Sequence, residues 1–376
     1  MQWVDSEAPA LQGAKVTLTK AALEKNPEDL RLWLTLIRTL IAQAKWAEAV
    51  AYAQRARAVN GDLGVLLREQ VRAELGGQDF AGALVTARVR AGDALVVPEF
   101  EALVGLRDWD AARALAPRVK AIRPRHRELI PLAARGGDPE AVLGLADAVL
   151  AQRPWDASAH HYRARALGQL GRIEEAIAAM ALDLLPSVTR LADEGDAAAE
   201  AAFRNALAAD IYANPTLEPD PPGKATRGGQ QTERLVHPGN AHLPALRERL
   251  KASVARYAAQ LPAGHGFSQG APARVSLIDW AVVYGAGGRQ HAHFHPRSWI
   301  SGVYYVQVPA GEETGALLLG DMEGLSGDPV PWAVRAIQPR AGDLILFPGF
   351  TPHATAAANA PGRMVVAFDV RPVGRD

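Results

Sequence analysis

Four of the ten histidines in this chain of 376 residues lie near its C-terminal end: His291, His293, His295 and His353. The first three occupy alternate positions just before an apolar run at 299–308, and residues two apart in an extended segment point to the same side. Two imidazoles from one segment and a third from another can hold one metal ion. Because the chain contains no cysteine, thiolate ligands, disulfides and a cysteine nucleophile are excluded, and any metal ligands must be nitrogen or oxygen atoms.

The segments that must position these histidines have the sequence pattern of strands. Short apolar runs separated by Gly and Pro occupy 275–284, 299–308, 315–319, 332–337, 343–347 and 363–368, and the glycines within 285–288 predict a turn. Several short strands at close intervals predict a sandwich or barrel of the jelly-roll type. Such a fold brings inward-facing side chains to the mouth of a barrel, where a metal pocket fits.

The strand-rich half also carries three linked motifs. They are Tyr284-Gly-x-Gly287, His293-x-His295-Pro-x-Ser298-x-x-Ser301-Gly-Val-Tyr-Tyr-Val306, and Gly342-Asp343-Leu-Ile-Leu-Phe347-Pro348 with His353 and Arg363. Across 274–372 this pattern resembles the 2-oxoglutarate/Fe(II)-dependent oxygenases, in particular the bacterial and phage branch with His-x-His-Pro and Ser-Gly-Val-Tyr-Tyr. The resemblance implies a double-stranded β-helix (a jelly-roll or cupin-like fold), Fe(II), 2-oxoglutarate as cosubstrate with O₂, and succinate and CO₂ as products.

Three residues are central to this chemistry. A non-haem Fe(II) site requires ligands that leave positions open for an oxoacid and O₂, and His293 and His353 supply two imidazoles from different strands. The distal carboxylate of the cosubstrate needs a fixed cation, and Arg363, ten residues after His353, stands where the resembling family places that arginine. Further hydroxyl donors to this carboxylate are expected from Tyr284, Tyr305 and Ser301, with a place in the barrel wall as the alternative for each.

His295 departs from the pattern of the resembling family, His-x-Asp or His-x-Glu, because a histidine stands at the carboxylate position. We expect His295 to be the third ligand, because Pro296 and the motif that follows fix the frame. Two alternatives remain open: His295 swings away and a water completes the shell, or the frame shifts and His291 pairs with His293. Histidines without companions are predicted to be hydrogen-bonded bystanders, namely His160, His161, His237 and His265.

The first half of the chain has a helical repeat. Similar local sequences begin at Trp46, Phe80, Trp109, Pro139 and Ile173, with separations of 34, 29, 30 and 34 residues. A period near 34 residues is that of the tetratricopeptide repeat, a helix–turn–helix unit. We therefore predict an N-terminal α-solenoid, which either serves only for stability and dimerisation or offers a concave surface to a peptide or protein.

The junction between the two halves is predicted from 183 to 241, after a helical repeat domain at 1–182 and before the oxygenase domain at 242–376. Helices are expected at 191–209 and 242–260, and the stretch at 214–232 between them is rich in Pro and Gly without periodicity. Such a stretch is either an interdomain loop or a lid over the active site. As a lid it would bring Arg227, Gln231 and Thr232 to the substrate.

The balance of charge argues against nucleic acid or an anionic membrane surface as a partner. Lysine and arginine together number 41, and aspartate and glutamate also number 41. The N-terminal residues lack the basic and apolar regions of a signal peptide, and no apolar run is long enough to span a bilayer. We therefore expect a cytoplasmic protein.

The favoured hypothesis is an Fe(II)/2-oxoglutarate-dependent oxygenase that hydroxylates a protein, a peptide or an amino-acid-like substrate, with the solenoid recruiting substrate or partner. The first alternative is a catalytically silent metal-binding jelly roll on an interaction scaffold, which the missing carboxylate ligand favours. The second is a tri-histidine dioxygenase that uses no oxoacid. In that case Arg363 would bind a substrate carboxylate directly.

Overall fold

The structure, a computed structural model, describes residues 1–4, 9–43, 45–90, 92–123, 126–191, 197–221, 223–236, 239–309, 315–323, 325 and 329–373. The chain divides into two compact units. One comprises Asp5–Asp138, and the other comprises Met1–Val4 with Pro139–Asp376. Within the described ranges, no helix combines the length and the apolar character that crossing a membrane requires.

The regular elements among the described residues of the first unit are helices. These are α1 (Pro9–Lys25), α2 (Leu30–Ala42), α3 (Trp46–Asn60), α4 (Gly64–Gly76), α5 (Phe80–Ala87), α6 (Val96–Leu106), α7 (Trp109–Ile122) and α8 (Leu129–Arg135). Aspartates start three of them: the side chains of Asp29, Asp79 and Asp108 accept backbone N–H groups of the first turns of α2, α5 and α7. Successive helices pack against one another, which is the arrangement of a solenoid.

The five repeat positions found in the sequence each begin a helix. Three of those helices lie in the first unit, and the other two are α9 (Pro139–Leu150) and α11 (Ile173–Met180) of the second. Three residues into α3, α5, α7 and α11, the chain places a fully buried alanine, at Ala49, Ala83, Ala112 and Ala176. A small side chain there lets neighbouring helices approach closely, and this confirms the predicted tetratricopeptide-like repeat.

The last repeated helices belong to the second unit. Between α9 and α11 lies α10 (Ala157–Gln169), and Ala164, Leu167 and Met180 belong to the same apolar core as the strands. The boundary between the two compact units therefore follows Asp138, whereas the predicted repeat domain continues to residue 182. The two boundaries describe different things, packing and sequence repetition, and the assignment of domains to 1–182, 183–241 and 242–376 stays a prediction.

Two further helices cover the sheet. They are α12 (Ala197–Tyr212), which begins later than the predicted 191–209, and α13 (Leu243–Gln260), which agrees with the predicted 242–260. The apolar stripe of α13 is buried, and the partly buried guanidinium of Arg247 binds the buried Asp279 carboxylate at 2.6 and 3.0 Å. This ion pair fixes α13 against the strand that carries Asp279.

The strands are β1 (Gln2–Trp3), β2 (Ser187–Arg190), β3 (Glu218–Pro219), β4 (Thr226–Gln231), β5 (Arg274–Gln290), β6 (Ile300–Gln307), β7 (Leu317–Leu319), β8 (Arg335–Ile337), β9 (Asp343–Pro348), β10 (His353–Thr355) and β11 (Arg363–Pro372). Among the described residues, eight of them form one sheet in the order β2-β9-β6-β11-β5-β4-β3, with β1 parallel to β5. The other three form a second sheet in the order β10-β7-β8. Two sheets of this kind confirm the jelly-roll architecture expected for the C-terminal half.

The segment that the sequence assigns to an irregular loop contains a strand. Residues 226–231 form β4 and pair antiparallel with β5, which itself continues through the glycines predicted to turn the chain. The glycines make a bulge instead: the register shifts between Arg227 and Gly229, and a Cβ at Gly288 would lie 2.7 Å from the carbonyl oxygen of Gly228. Glycine clusters thus allow two strands to approach closely here, which a pattern of turn-forming residues does not distinguish from a loop.

Candidate metal centre

Three histidines converge in the second unit. His293 and His295 lie in the extended segment between β5 and β6, and His353 begins β10. One ring nitrogen from each lies within 4.8 Å of the others. The backbones of His293 and His353 also pair, with N–O distances of 3.0 and 2.8 Å, so the main chain sets the separation of these two ligands.

The hydrogen bonds of two rings define which nitrogen faces the centre. The Nδ1 atom of His293 lies 2.7 Å from the carbonyl oxygen of His291, and Nδ1 of His353 lies 3.0 Å from that of Thr351. A carbonyl oxygen can only accept, so Nδ1 carries the proton in both rings and Nε2 is left with its lone pair. Both imidazoles therefore have the tautomer that a metal requires.

His295 is bonded to a carboxylate instead. Its Nδ1 atom lies 3.0 Å from Oδ1 and 3.2 Å from Oδ2 of Asp369, a residue of β11 with no exposed surface. The same argument leaves Nε2 of His295 available. Three neutral imidazole nitrogens, each oriented by a second hydrogen bond, are a donor set that fits Fe(II).

Asp369 is a residue that the sequence motifs did not indicate. The available signal was weak but present, since Asp369 is a lone acid in an apolar strand. It also follows Arg363 by six residues, an even number that places both side chains on one face of β11. Only the register of β11 against its neighbours shows which residues that face meets.

Burial keeps His293 and His353 neutral. It lowers the pKa of His293 to about 4, with His295 adding to the effect, and it lowers the pKa of His353 well below the ordinary value. Burial alone would raise the pKa of the Asp369 carboxyl, but His295 and Arg371 outweigh it and hold that pKa well below its usual range. At neutral pH His293 and His353 are therefore uncharged, and the Asp369 carboxylate in the same site is ionised.

Arg363 forms a second polar centre in the same cavity. Its side chain is 1% exposed, donates to the carbonyl oxygen of Gly315, and lies 3.4 Å from both the carbonyl oxygen of Gly288 and the hydroxyl of Thr355. The guanidinium carbon lies 4.0 Å from the centre of the Tyr284 ring, which supports it by a cation–π contact. These contacts hold a cation in a fixed position among largely apolar walls.

The cavity brings together most of the residues expected at the site. Its lining includes the three histidines, Arg363, Tyr284, Tyr305 and Ser301. Burial raises the pKa of both tyrosines, so their hydroxyls stay protonated and can donate. The Ser301 hydroxyl, however, donates to Oδ1 of Asp369 at 2.9 Å and so supports the histidine side of the cavity.

The structure places the other candidate residues elsewhere. The side chain of His291 is exposed, and its carbonyl oxygen is the atom that meets the cluster. Gln231 is buried and accepts from Thr226, and the hydroxyl of Thr232 accepts the N–H of Ala281, so neither lines the cavity. The exposed Arg227 donates to carbonyl oxygens of its own segment and does not line the cavity either.

The predicted bystander histidines of α10 form part of the wall behind the metal centre. The ring of His161 stacks on Phe294, the residue between His293 and His295, with centres 3.9 Å apart and an interplanar angle of 7°. The neighbouring His160 stacks on Phe350 with centres 4.8 Å apart. Each of these two rings donates one hydrogen bond to a backbone carbonyl oxygen, as does His265. His237 lies outside the described residues.

Comparisons with known proteins agree with this geometry. Residues 279–369 match the model of the family described as "Putative 2OG-Fe(II) oxygenase". No match to a curated protein was found.

Solved structures similar to this chain include prolyl hydroxylases and tetratricopeptide repeat proteins. A Pseudomonas putida prolyl-4-hydroxylase is 17% identical, with 53% of this chain and 98% of that chain covered and a TM-score of 0.36. A prolyl hydroxylase from Trichoplax adhaerens, in complex with a hypoxia inducible factor peptide fragment, is 14% identical, with coverage of 54% and 92% and a TM-score of 0.37. YrrB, a tetratricopeptide repeat protein with an unusual peptide-binding site, is 16% identical, with coverage of 43% and 91% and a TM-score of 0.36.

Proposed function

We propose that this chain, whose C-terminal domain is of the 2OG-Fe(II) oxygenase family, is an Fe(II)- and 2-oxoglutarate-dependent oxygenase. The observation that carries the proposal is the pairing, in one cavity, of three converging imidazoles with a buried arginine. His293, His295 and His353 would hold the metal through Nε2, since each Nδ1 is already hydrogen-bonded. Three protein ligands leave coordination positions for an oxoacid and O₂.

The role of Arg363 is to bind the distal carboxylate of 2-oxoglutarate. A guanidinium offers two parallel donors to a carboxylate, and its burial strengthens the interaction by excluding water. The hydroxyls of Tyr284 and Tyr305 would add donors to the same group. Bound iron would supply the O₂ chemistry, while these side chains fix the orientation of the cosubstrate and keep the cavity dry.

We further propose that the substrate is a protein, a peptide or an amino-acid-like molecule. A solenoid of helical repeats presents an extended surface, and surfaces of this kind bind polypeptides in many proteins. The repeats would thus recruit the substrate or a partner for the C-terminal domain. On β4, the exposed Arg227 remains the candidate for a substrate contact among the three residues predicted there.

The test is metal-dependent turnover of 2-oxoglutarate. Succinate formation is measured with Fe(II), 2-oxoglutarate and O₂, and cosubstrate affinity is measured separately, without O₂, by calorimetric titration of the Mn(II)-loaded protein. We expect binding and slow succinate formation in the unaltered chain, and loss of both in Arg363→Met, which keeps the length and apolar character of the side chain. Absence of both binding and turnover in the unaltered chain would overturn the proposal.

The third histidine ligand favours one other candidate function, a tri-histidine dioxygenase that uses no oxoacid. Three neutral ligands leave the metal with its full charge, which suits direct binding of a substrate carboxylate by the metal or by Arg363. The same titration separates the two functions. Tight metal binding without any affinity for 2-oxoglutarate would favour this alternative if the protein then consumes O₂ with a carboxylate substrate, and a silent metal-binding module if it does not.

A further inference from the structure

Asp369 has contacts that no role in binding the cosubstrate explains. Its carboxylate is fully buried and accepts from His295 at 3.0 and 3.2 Å, from the Ser301 hydroxyl at 2.9 Å, and from Arg371, whose Nη2 and Nε lie at 2.8 and 3.3 Å. Four donors hold two oxygens, so the carboxylate cannot turn. A carboxylate held in one orientation also holds the His295 ring that donates to it.

The sheet itself sets this arrangement. Asp369 on β11 stands directly opposite Ser301 on β6, and side chains at opposite positions of an antiparallel pair lie on the same face. That face is the one that Arg363 and Ala367 present to the cavity. One strand therefore supplies both the cation for the cosubstrate and the carboxylate behind a histidine.

The three histidines differ in what orients them. His293 and His353 donate from Nδ1 to backbone carbonyl oxygens, which every sequence provides. His295 alone among the three depends on a side chain, and that side chain is negatively charged. A carboxylate bonded to the far nitrogen of an imidazole fixes the ring and increases the basicity of the ligating nitrogen.

We infer that Asp369 is a positioning residue that makes His295 a metal ligand and gives this ligand a share of negative charge. The inference rests on the proposed function only in that the three histidines bind a metal. It explains how a histidine can serve at a position where a carboxylate is the more usual ligand. A carboxylate is still present, but it is hydrogen-bonded to the far side of the His295 ring instead of binding the metal itself. It also assigns Ser301 and Arg371 to the support of that acid.

The experiment measures Co(II) affinity, and the visible absorption of the bound Co(II), in the full chain without 2-oxoglutarate. We expect Asp369→Asn to weaken Co(II) binding by roughly 10- to 100-fold and to shift the absorption bands. The matched control is Asp279→Asn. Asp279 is equally buried, is bonded twice to Arg247, and lies on the adjacent strand away from the cavity lining. This control loses a buried aspartate–arginine pair as well, and we expect its Co(II) affinity and spectrum to be unchanged.

A double-mutant cycle distinguishes positioning from general structural damage. If Asp369 acts through His295, then Asp369→Asn has no further effect on Co(II) affinity once His295→Ala is present. Additive losses, or an unchanged affinity and spectrum in Asp369→Asn, would overturn the inference. Should Asp369→Asn not fold, Ser301→Ala takes its place: a loss of several-fold supports the inference, and an unchanged affinity overturns it. Failure of the unaltered chain to bind Co(II) would instead contradict the proposed function.

Discussion

Gly315 controls the position of Arg363 in a way that a single methyl group can test. The residue has a φ of +78°, and a Cβ added to it would overlap the guanidinium of Arg363 and lie 2.7 Å from the carbonyl oxygen of Ala356. The guanidinium is buried, lines the cavity, and donates to the carbonyl oxygen of Gly315 itself. We therefore expect Gly315→Ala to displace the cation from the place where it would meet 2-oxoglutarate.

The expected magnitude has two parts. A non-glycine residue in the left-handed region costs about 1 to 2 kcal/mol of folding free energy. Displacement of the guanidinium removes at least one charged hydrogen bond to the cosubstrate, which is worth about 1.5 to 3 kcal/mol. That loss corresponds to a dissociation constant for 2-oxoglutarate about 10- to 150-fold higher.

The control separates these two parts. Gly171 has a φ of +74°, nearly that of Gly315, but an added Cβ there would meet nothing within 4 Å. Urea unfolding and calorimetric titration of 2-oxoglutarate into the Mn(II)-loaded protein are measured for both variants. We expect Gly171→Ala to show the backbone cost alone, and Gly315→Ala to lose at least that much stability because of the added overlap. Only Gly315→Ala is expected to lose affinity for 2-oxoglutarate. A folded Gly315→Ala variant that binds 2-oxoglutarate as the unaltered chain does would refute this reasoning.

Three other outcomes are expected. His353→Ala abolishes Co(II) binding because it removes one of the three converging nitrogens. His291→Ala preserves Co(II) binding because only the backbone oxygen of His291 contacts the cluster. Titrations followed by visible absorption compare the two variants. Burial lowers the pKa of His161 to about 3, so as the pH falls the imidazole is protonated in the unfolded chain before it is protonated in the folded chain. The free energy of unfolding therefore decreases between about pH 6.5 and pH 3, by up to about 1.4 kcal/mol per pH unit. Urea unfolding across this range is expected to be less pH-dependent in His161→Phe, which keeps a ring against Phe294; an equal dependence would contradict the assignment. A chain beginning at residue 183 lacks α10 and is expected to bind Co(II) more weakly than the full chain.

The repeat, the strands and the histidine frame were open to prediction because each follows a short period. Trp46 and its counterparts recur every 29 to 34 residues, and His293 and His295 alternate as an extended chain requires. Signals of this kind are local, so a single sequence contains them. The jelly roll could be predicted for the same reason, as a series of short apolar runs with Gly and Pro between them.

The partners of those residues were not open to prediction, because they depend on register and packing. Asp369 meets His295 only because β11 and β6 pair so that Asp369 faces Ser301. His161 meets Phe294 only because a helix from the last repeats packs against the metal segment. Neither contact leaves a periodic trace in the sequence, and a lone acid or histidine is more often an ordinary structural residue.

The glycines at 285–288 show a third limit. Turn and bulge need the same residue, because both require either a positive φ or a close approach of two backbones. Whether a turn or a bulge forms depends on the neighbouring strand, here β4. The sequence of β4 is too short and too polar to be predicted as a strand. The predicted loop with Gln231 and Thr232 was therefore wrong in its secondary structure, while a role for this segment near the substrate stays a prediction.

The placement of α10 has a consequence for how such a chain can diversify. The rings of His160 and His161 pack against Phe350 and Phe294, so exchange of the final helical hairpin would alter the packing around the cavity that the three converging histidines line. The described residues of Asp5–Asp138 line no part of that cavity. Duplication, loss or replacement of repeats within that range would therefore leave the residues that line the cavity unaltered.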